Sequence, residues 1–170
     1  MKSSKGYQQA YNTQIAVDGD SQLIVAADVT DCSSDNAELL GMIDQAESLT
    51  GHRPEKVLAD SGYRFEDTFA DLEERGIDSY ISLGREGKVL AKPPDDSLPA
   101  SQRMLDKLSS DEGKIIYRRR KAIVEPVFGW AKSILGFRQF SLRGLESVRG
   151  EWNLVCLALD LKRMHRISWA

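Results

Sequence analysis

The sequence predicts an α/β layer fold. Segments that alternate with the two-residue period of strands are interleaved with segments of helical periodicity, in the order strand, strand, helix, strand, helix, strand, helix, helix. The 170 residues, 41% apolar and 29% charged, suit one soluble globular domain with a full core and are too few for two comfortable ones. The whole chain, 1–170, therefore reads as a single domain.

Tyr11 to Val17 alternates polar and apolar residues, Gly19-Asp20-Ser21 reads as a turn, and Leu23 to Val29 reads as the returning strand of a β-hairpin. Asp35, or Ser34, can cap a helix whose apolar positions Leu39, Leu40, Ile43 and Ala46 recur at helical spacing. Val57 to Asp60 is the next strand. Phe65 to Arg75 has the pattern of an acidic amphipathic helix closed by Gly76. Ile77 to Leu83 alternates again as a strand. Residues 84–100 gather Gly84, Gly87, Pro93, Pro94, Asp95, Asp96, Ser97 and Pro99, the composition of a flexible loop or insertion. Regular structure resumes near Ser101, and long helices are expected from about Ile115 to Leu135 and from about Leu145 to His165.

Composition excludes several classes of protein. No apolar run approaches the roughly 20 residues that span a bilayer, and Met1 to Gly6 has no apolar core of a secretory signal. Cys32 and Cys156 stand far apart, outside any CxxC pattern, which reads as two reduced thiols in a cytoplasmic protein. With only His52 and His165, a histidine-built zinc site is not expected. The net charge of −3 conceals an asymmetry: residues 1–113 carry 11 Lys/Arg against 22 Asp/Glu, and residues 114–170 carry 12 against 4. A basic C-terminal part suits either a polyanion partner or simply a solvated basic helix.

Two carboxylates stand out. Asp60 ends the run Lys56-Val57-Leu58-Ala59 and precedes Ser61-Gly62-Tyr63, so it lies at the end of a strand, where α/β folds hold ligands. The plainer alternative is that Asp60 caps the turn. Glu125 lies on a basic helix. On a helical wheel Ile116, Ile123, Val127, Trp130 and Ile134 form one stripe, with Arg118, Lys121, Glu125 and Lys132 opposite. A surface pair of Glu125 with Lys121 is the plainer reading and stabilises by only a few tenths of a kcal/mol. Pro126 argues for more, because proline costs about 3 kcal/mol in a regular helix interior; a kink or special placement is expected there. Two converging carboxylates can hold divalent ions roughly 3.5–4 Å apart for in-line attack on a phosphodiester. Mg²⁺ suits such oxygen ligands, and the cationic row would grip a nucleic-acid backbone without reading its sequence.

Three motifs, Tyr11-Asn12-Thr13-Gln14, Ala59-Asp60-Ser61-Gly62-Tyr63 and Val124-Glu125-Pro126-Val127-Phe128-Gly129, resemble in order and spacing the DDE transposases of bacterial insertion sequences. The resemblance covers nearly the whole chain. It implies a ribonuclease-H-like mixed sheet flanked by helices, Mg²⁺ (or Mn²⁺) dependence, and DNA strand cleavage and transfer at transposon ends. Asp60 then looks like the second acid of the triad and Glu125 like the third, both catalytic and both metal ligands. Lys132 matches a lysine seven positions after the glutamate that contacts transposon-end DNA. Where the family places an arginine four before the glutamate and a tyrosine seven before, this chain has Lys121 and Arg118, with Arg120 and Tyr117 each displaced by one. Lys132, Lys121, Arg118 and Arg120 are the expected DNA-binding residues. In the family the first acid lies on a strand upstream of the hairpin. Asp18 and Asp20, in the hairpin turn, do not match it, so the resemblance implies the C-terminal part of the catalytic domain, incomplete at its N-terminus.

The leading expectation is thus a transposase catalytic domain that lacks the first acid and is inactive by itself. A non-catalytic DNA-binding or regulatory remnant is the alternative, acting as a homodimer or with full-length transposase. A third reading, a standalone nuclease, requires a local acid near Asp60, with Asp18, Asp28 or a partner's residue as candidates.

Overall fold

The structure, a computed structural model, describes residues 2–3, 6–7, 11–32, 34–35, 37–84 and 94–169. Two short strands, β1 (Lys2–Ser3) and β2 (Gly6–Tyr7), pair antiparallel. The expected hairpin follows as β3 (Asn12–Val17) and β4 (Ile24–Thr30), antiparallel with Gln14 opposite Asp28 and Ile15 opposite Ala27. Its turn is fixed by Asp18, whose Oδ2 accepts from Ser21 N at 2.7 Å and Ser21 Oγ at 2.6 Å. Alternation along β3 sends Ile15 and Val17 to one core and Ala16 to another. The first core joins Ile24 and Val29 to the C-terminal helices, and the second joins Ala26 to Met42 and Ala46.

Those last two residues lie on α1 (Glu38–Thr50). Asp35 does not cap it: the N-cap is Ala37, without a side-chain cap, and the Asp35 carboxylate turns away to β3. A β-α-β unit comes next, β5 (Lys56–Ala59), α2 (Glu66–Glu74) and β6 (Asp78–Ile81), its strands parallel with Ala59 opposite Ile81. Phe69 and Leu72 of α2 and Ile81 of β6 are almost wholly inaccessible and pack with Leu39 and Ile43 of α1. Gly76 closes α2 in the left-handed region, φ 71°, as the sequence anticipates.

The expected loop of residues 84–100 falls largely on residues 85–93, outside the described residues. Its far end is helical from Pro99, in α3 (Pro99–Ser109), a helix that the sequence reading did not separate. Proline suits the first helical turn, and the carboxylate of Glu66 caps the helix from outside, accepting from Ala100 N at 2.7 Å and Ser101 N at 2.9 Å. Burial pushes the Glu66 carboxyl up, but these bonds and the Ser101 hydroxyl outweigh it and hold the group below its usual range. A cap supplied from 34 and 35 residues upstream of the amides it serves leaves no local signature.

Two long helices complete the chain, α4 (Asp111–Ser133) and α5 (Leu145–Ser168). The first begins four residues earlier than expected because Ser110 Oγ accepts from Gly113 N at 2.9 Å, with Asp111 and Glu112 in the first turn. Both pack on the hairpin through Val127, Ala131, Val148 and Trp152. Polar ties add register: Trp152 Nε1 donates to Gln14 O at 3.2 Å, Arg163 Nε to Ser21 O at 2.7 Å, and Asp160 Oδ1 accepts from Ile24 N at 2.9 Å. Among the described residues, no helix is long and apolar enough to cross a membrane.

The described strands form three two-stranded pieces, not the single mixed sheet expected. Helix α1 packs on the hairpin and α4 touches both β3 and β5, but β3 and β5 do not pair. A cavity of about 770 Å³ lies between them.

Candidate functional site

Asp60 leaves the end of β5 in extended conformation, and the chain turns at once into a single 3₁₀ turn, Ser61–Tyr63. Its Oδ1 accepts from Gly62 N at 2.8 Å, so the turn-capping role is realised. Capping does not bury the group; Asp60 stays exposed at the mouth of the cavity.

Gly62 leaves room for two carboxylates. A Cβ there would stand 2.7 Å from Asp35 Oδ2 and 2.9 Å from Asp60 Oδ1. The same two distances place the carboxylate oxygens of Asp35 and Asp60 within about 6 Å of each other.

Asp35 is held there by the hairpin. Gln14, buried to 3% exposure, donates from Nε2 to Asp35 Oδ1 at 2.8 Å, and Asn12 Nδ2 donates to the same oxygen. The Gln14 Oε1 accepts from the Tyr63 hydroxyl. Burial, followed by the negative charges of Asp35, Asp60 and Glu38, pushes the Tyr63 phenol above its ordinary value of 10.0, so it stays a neutral donor. Tyr11 anchors the start of the strand, accepting from Gly144 N at 3.0 Å and meeting Phe140 edge-on at 5.9 Å between ring centres. The Tyr-Asn-x-Gln strand and the Ala-Asp-x-Gly-Tyr turn are therefore one polar assembly. Sequence reasoning missed Asp35 because a residue just ahead of a helical pattern reads as a cap. The available signal was Asn12 and Gln14: two amides on one face of a strand, entering a core, need a shared partner.

Glu125, on α4, borders the same cavity and is exposed. Arg118, Lys121 and Lys132 are exposed on that helix, whereas Arg120 is half-buried, lines the cavity beside Arg119, and lies 5.6 Å from the centre of the Tyr117 ring. Arg119 also reaches Asp20 at 3.8 Å. The structure thus brings Asp60, Glu125 and Arg120 to one cavity and leaves Arg118, Lys121 and Lys132 on the outer surface of α4.

Pro126 lies inside α4 without interrupting it. The carbonyl that its missing N–H cannot reach belongs to Ala122, four residues earlier. That carbonyl accepts instead from Gln22 Nε2 at 2.9 Å. Gln22 itself sits in the left-handed region at φ 59°, an uncommon place for a residue other than glycine. The proline frees an acceptor, and the hairpin turn docks on it one turn from Glu125.

Of the local acids considered for a self-contained site, Asp18 borders the same cavity as Asp60 and Glu125, and Asp28 does not. Asp18 accepts from Ser21 in its turn, as Asp60 does from Gly62, and Asp28 pairs with Arg149 at 2.7 Å. The acid beside Asp60 is Asp35. The oxygen donors of Asp60 and Glu125, both bordering the cavity, are of the kind that Mg²⁺ takes. Among the described residues, no three His, Cys, Asp or Glu side chains are grouped so as to hold an ion.

A family model for the transposase DDE domain matches residues 1–161. Searches of curated proteins and of solved structures gave no match.

Proposed function

The chain belongs to the transposase DDE-domain family, whose function lies in transposition, and on that premise we propose that it serves metal-dependent DNA strand cleavage and transfer at insertion-sequence ends, with Asp60 and Glu125 as a partial metal site. The observation that carries this reading is that the two acids border one cavity, from a strand end and from a basic helix. Asp60 and Glu125 would hold Mg²⁺ or Mn²⁺ with carboxylate oxygens. The bound ions would supply charge for an in-line displacement at phosphorus. Asp60 is oriented by the Gly62 N–H, and Asp35, itself gripped by Asn12 and Gln14, stands behind it. Exposed Arg118, Lys121 and Lys132, with Arg120 nearer the cavity, would bind the phosphate backbone and position the scissile bond.

Two acids hold the ions less completely than three, so the chain alone binds DNA and leaves it intact. If three or four phosphates are neutralised, affinity falls about 40–150-fold between 50 and 200 mM salt, through counterion release. Fluorescence anisotropy on a duplex carrying a transposon end reads this, with Arg118→Ala/Lys121→Ala/Lys132→Ala as the comparison. Binding that ignores both salt and the triple substitution would remove the basic face from the reading. Robust Mg²⁺-dependent nicking by the wild type, abolished by Asp60→Ala or Glu125→Ala, would show a complete site.

A further inference from the structure

We infer that Asp35 is a positioning residue for Asp60, acting through a chain of hydrogen bonds that runs from the Asp35 carboxylate through Gln14 to Tyr63. The inference rests on the metal-site role proposed above for Asp60. Asp35 is half-buried just ahead of α1. Its Oδ1 accepts from Gln14 Nε2 at 2.8 Å and from Asn12 Nδ2, and its backbone carbonyl accepts from Glu38 N at 3.0 Å. Asp35 is thus tied to α1 by its main chain and to β3 by its side chain.

A glutamine amide has one donating and one accepting end. With Nε2 given to Asp35, the Gln14 Oε1 is left to take the Tyr63 hydroxyl. Gln14 is buried, so removing the Asp35 oxygen leaves a buried donor without its partner. The amide can then rotate, and Tyr63 loses a fixed acceptor. Tyr63 closes the turn that Asp60 opens: Asp60 Oδ1 accepts from Gly62 N at 2.8 Å, and the Asp60 carbonyl from Tyr63 N at 3.3 Å. A single 3₁₀ turn has poor hydrogen-bond geometry of its own. Holding the Tyr63 ring therefore holds the turn, and with it the direction of the Asp60 carboxylate. Partners that orient a metal ligand from behind typically change metal affinity by about 10–100-fold when removed.

Asp35 also carries a negative charge within about 6 Å of Asp60, which would attract a cation directly. Two routes therefore lead from Asp35 to the site, and they respond differently to substitution. Asparagine keeps an oxygen for Gln14 and removes the charge, whereas alanine removes both. Asp60 is exposed, so water screens the direct route, while the bonds of buried Gln14 are shielded from it. The chain through Gln14 is the route that dominates.

The test is Mn²⁺ titration of the full chain, read by electron paramagnetic resonance, with hydrogen exchange of the Gly62 amide measured by nuclear magnetic resonance in the absence of metal. Asp35→Ala is expected to weaken Mn²⁺ binding about tenfold. Asp35→Asn should stay within about threefold of the wild type, because the acceptor for Gln14 remains. Tyr63→Phe cuts the chain at its far end and should match Asp35→Ala, and the double variant should be little worse than either. Without metal, the Gly62 amide should exchange about fivefold or more faster in both single variants, as the turn opens more often. If Asp35→Ala does not fold, Tyr63→Phe and Asp35→Asn decide between the routes. The inference is overturned if Asp35→Asn binds as weakly as Asp35→Ala, if the losses of Asp35→Ala and Tyr63→Phe add, or if Tyr63→Phe changes neither Gly62 exchange nor a Mn²⁺ affinity that Asp60→Asn lowers. Accelerated Gly62 exchange beside Mn²⁺ binding that ignores Asp60→Asn would refute the metal site alone.

Discussion

Gln14 joins the hairpin to the Asp60 turn, and its removal should cost more than a surface amide can. Gln14→Leu keeps the side-chain bulk while deleting the donor to Asp35 at 2.8 Å and the acceptor for the Tyr63 hydroxyl. A hydrogen bond to a charged group contributes about 1.5–3 kcal/mol and a neutral one about 0.5–1.5. Asp35 is half-buried and can recruit water, which places the total near the lower end, about 2–3 kcal/mol. For a domain of this size that lowers the melting midpoint by about 4–12 °C. Tyr63→Phe deletes one of the same bonds from the other side and should cost about 1 kcal/mol. Because the two substitutions share a bond, the double variant should lose less than the sum, by about 0.5–1.5 kcal/mol. Urea denaturation of the four proteins measures the cycle. Additivity within about 0.3 kcal/mol would show that Gln14 and Tyr63 do not act on one another, and the coupling of the two motifs would be refuted.

Other outcomes follow from the same geometry. Gly62→Ala places a methyl group 2.7 Å from Asp35 Oδ2 and 2.9 Å from Asp60 Oδ1, so it should destabilise by about 1–3 kcal/mol; a neutral substitution in the same urea assay would contradict the close approach. Gln22→Ala should cost about 1 kcal/mol in the wild type but less than half as much in a Pro126→Ala background, where the helix supplies its own donor to Ala122 O; equal costs in both backgrounds would sever Gln22 from the proline. Burial, then the charge of Asp160, pushes the Cys156 thiol up to about 12, whereas Cys32 is exposed, so at pH 8 a thiol reagent should label Cys32 quickly and Cys156 only on unfolding. Since the folded pKa lies above the ordinary 9.0, the neutral Cys156 contributes fully below pH 9 and its contribution is lost as pH rises toward 12; a Cys156→Ala variant with the same alkaline loss would disprove that assignment.

The parts of the fold that could be read from the sequence are those with a local cause. The hairpin was legible because Tyr11 to Val17 alternates and Gly19-Asp20-Ser21 breaks the pattern, and α2 because its apolar spacing ends at Gly76. The exposure of Arg118, Lys121 and Lys132 on α4 could be read from the wheel, but Glu125, which the wheel set with them and opposite Ile116 and Ile123, borders the cavity with those two isoleucines. What escaped notice depends on distant partners. Asp35 has the sequence context of a cap and is claimed instead by amides more than twenty residues away. The start of α3 depends on Glu66, and the tolerance of Pro126 depends on Gln22, a hundred residues upstream. Continuity of the sheet is likewise a property of edges, and nothing in β3 or β5 alone says whether a strand lies between them.

We propose that Asp60 and Glu125 hold one metal ion at the cavity they both border. Electron paramagnetic resonance of Mn²⁺ titrated into the folded chain tests it without requiring cleavage. Asp60→Asn and Glu125→Gln are each expected to weaken Mn²⁺ binding at least tenfold, about 1.4 kcal/mol, and the double variant to be little worse than either, because both act on the same ion. Undiminished Mn²⁺ binding in either single variant, with the fold intact, would contradict it.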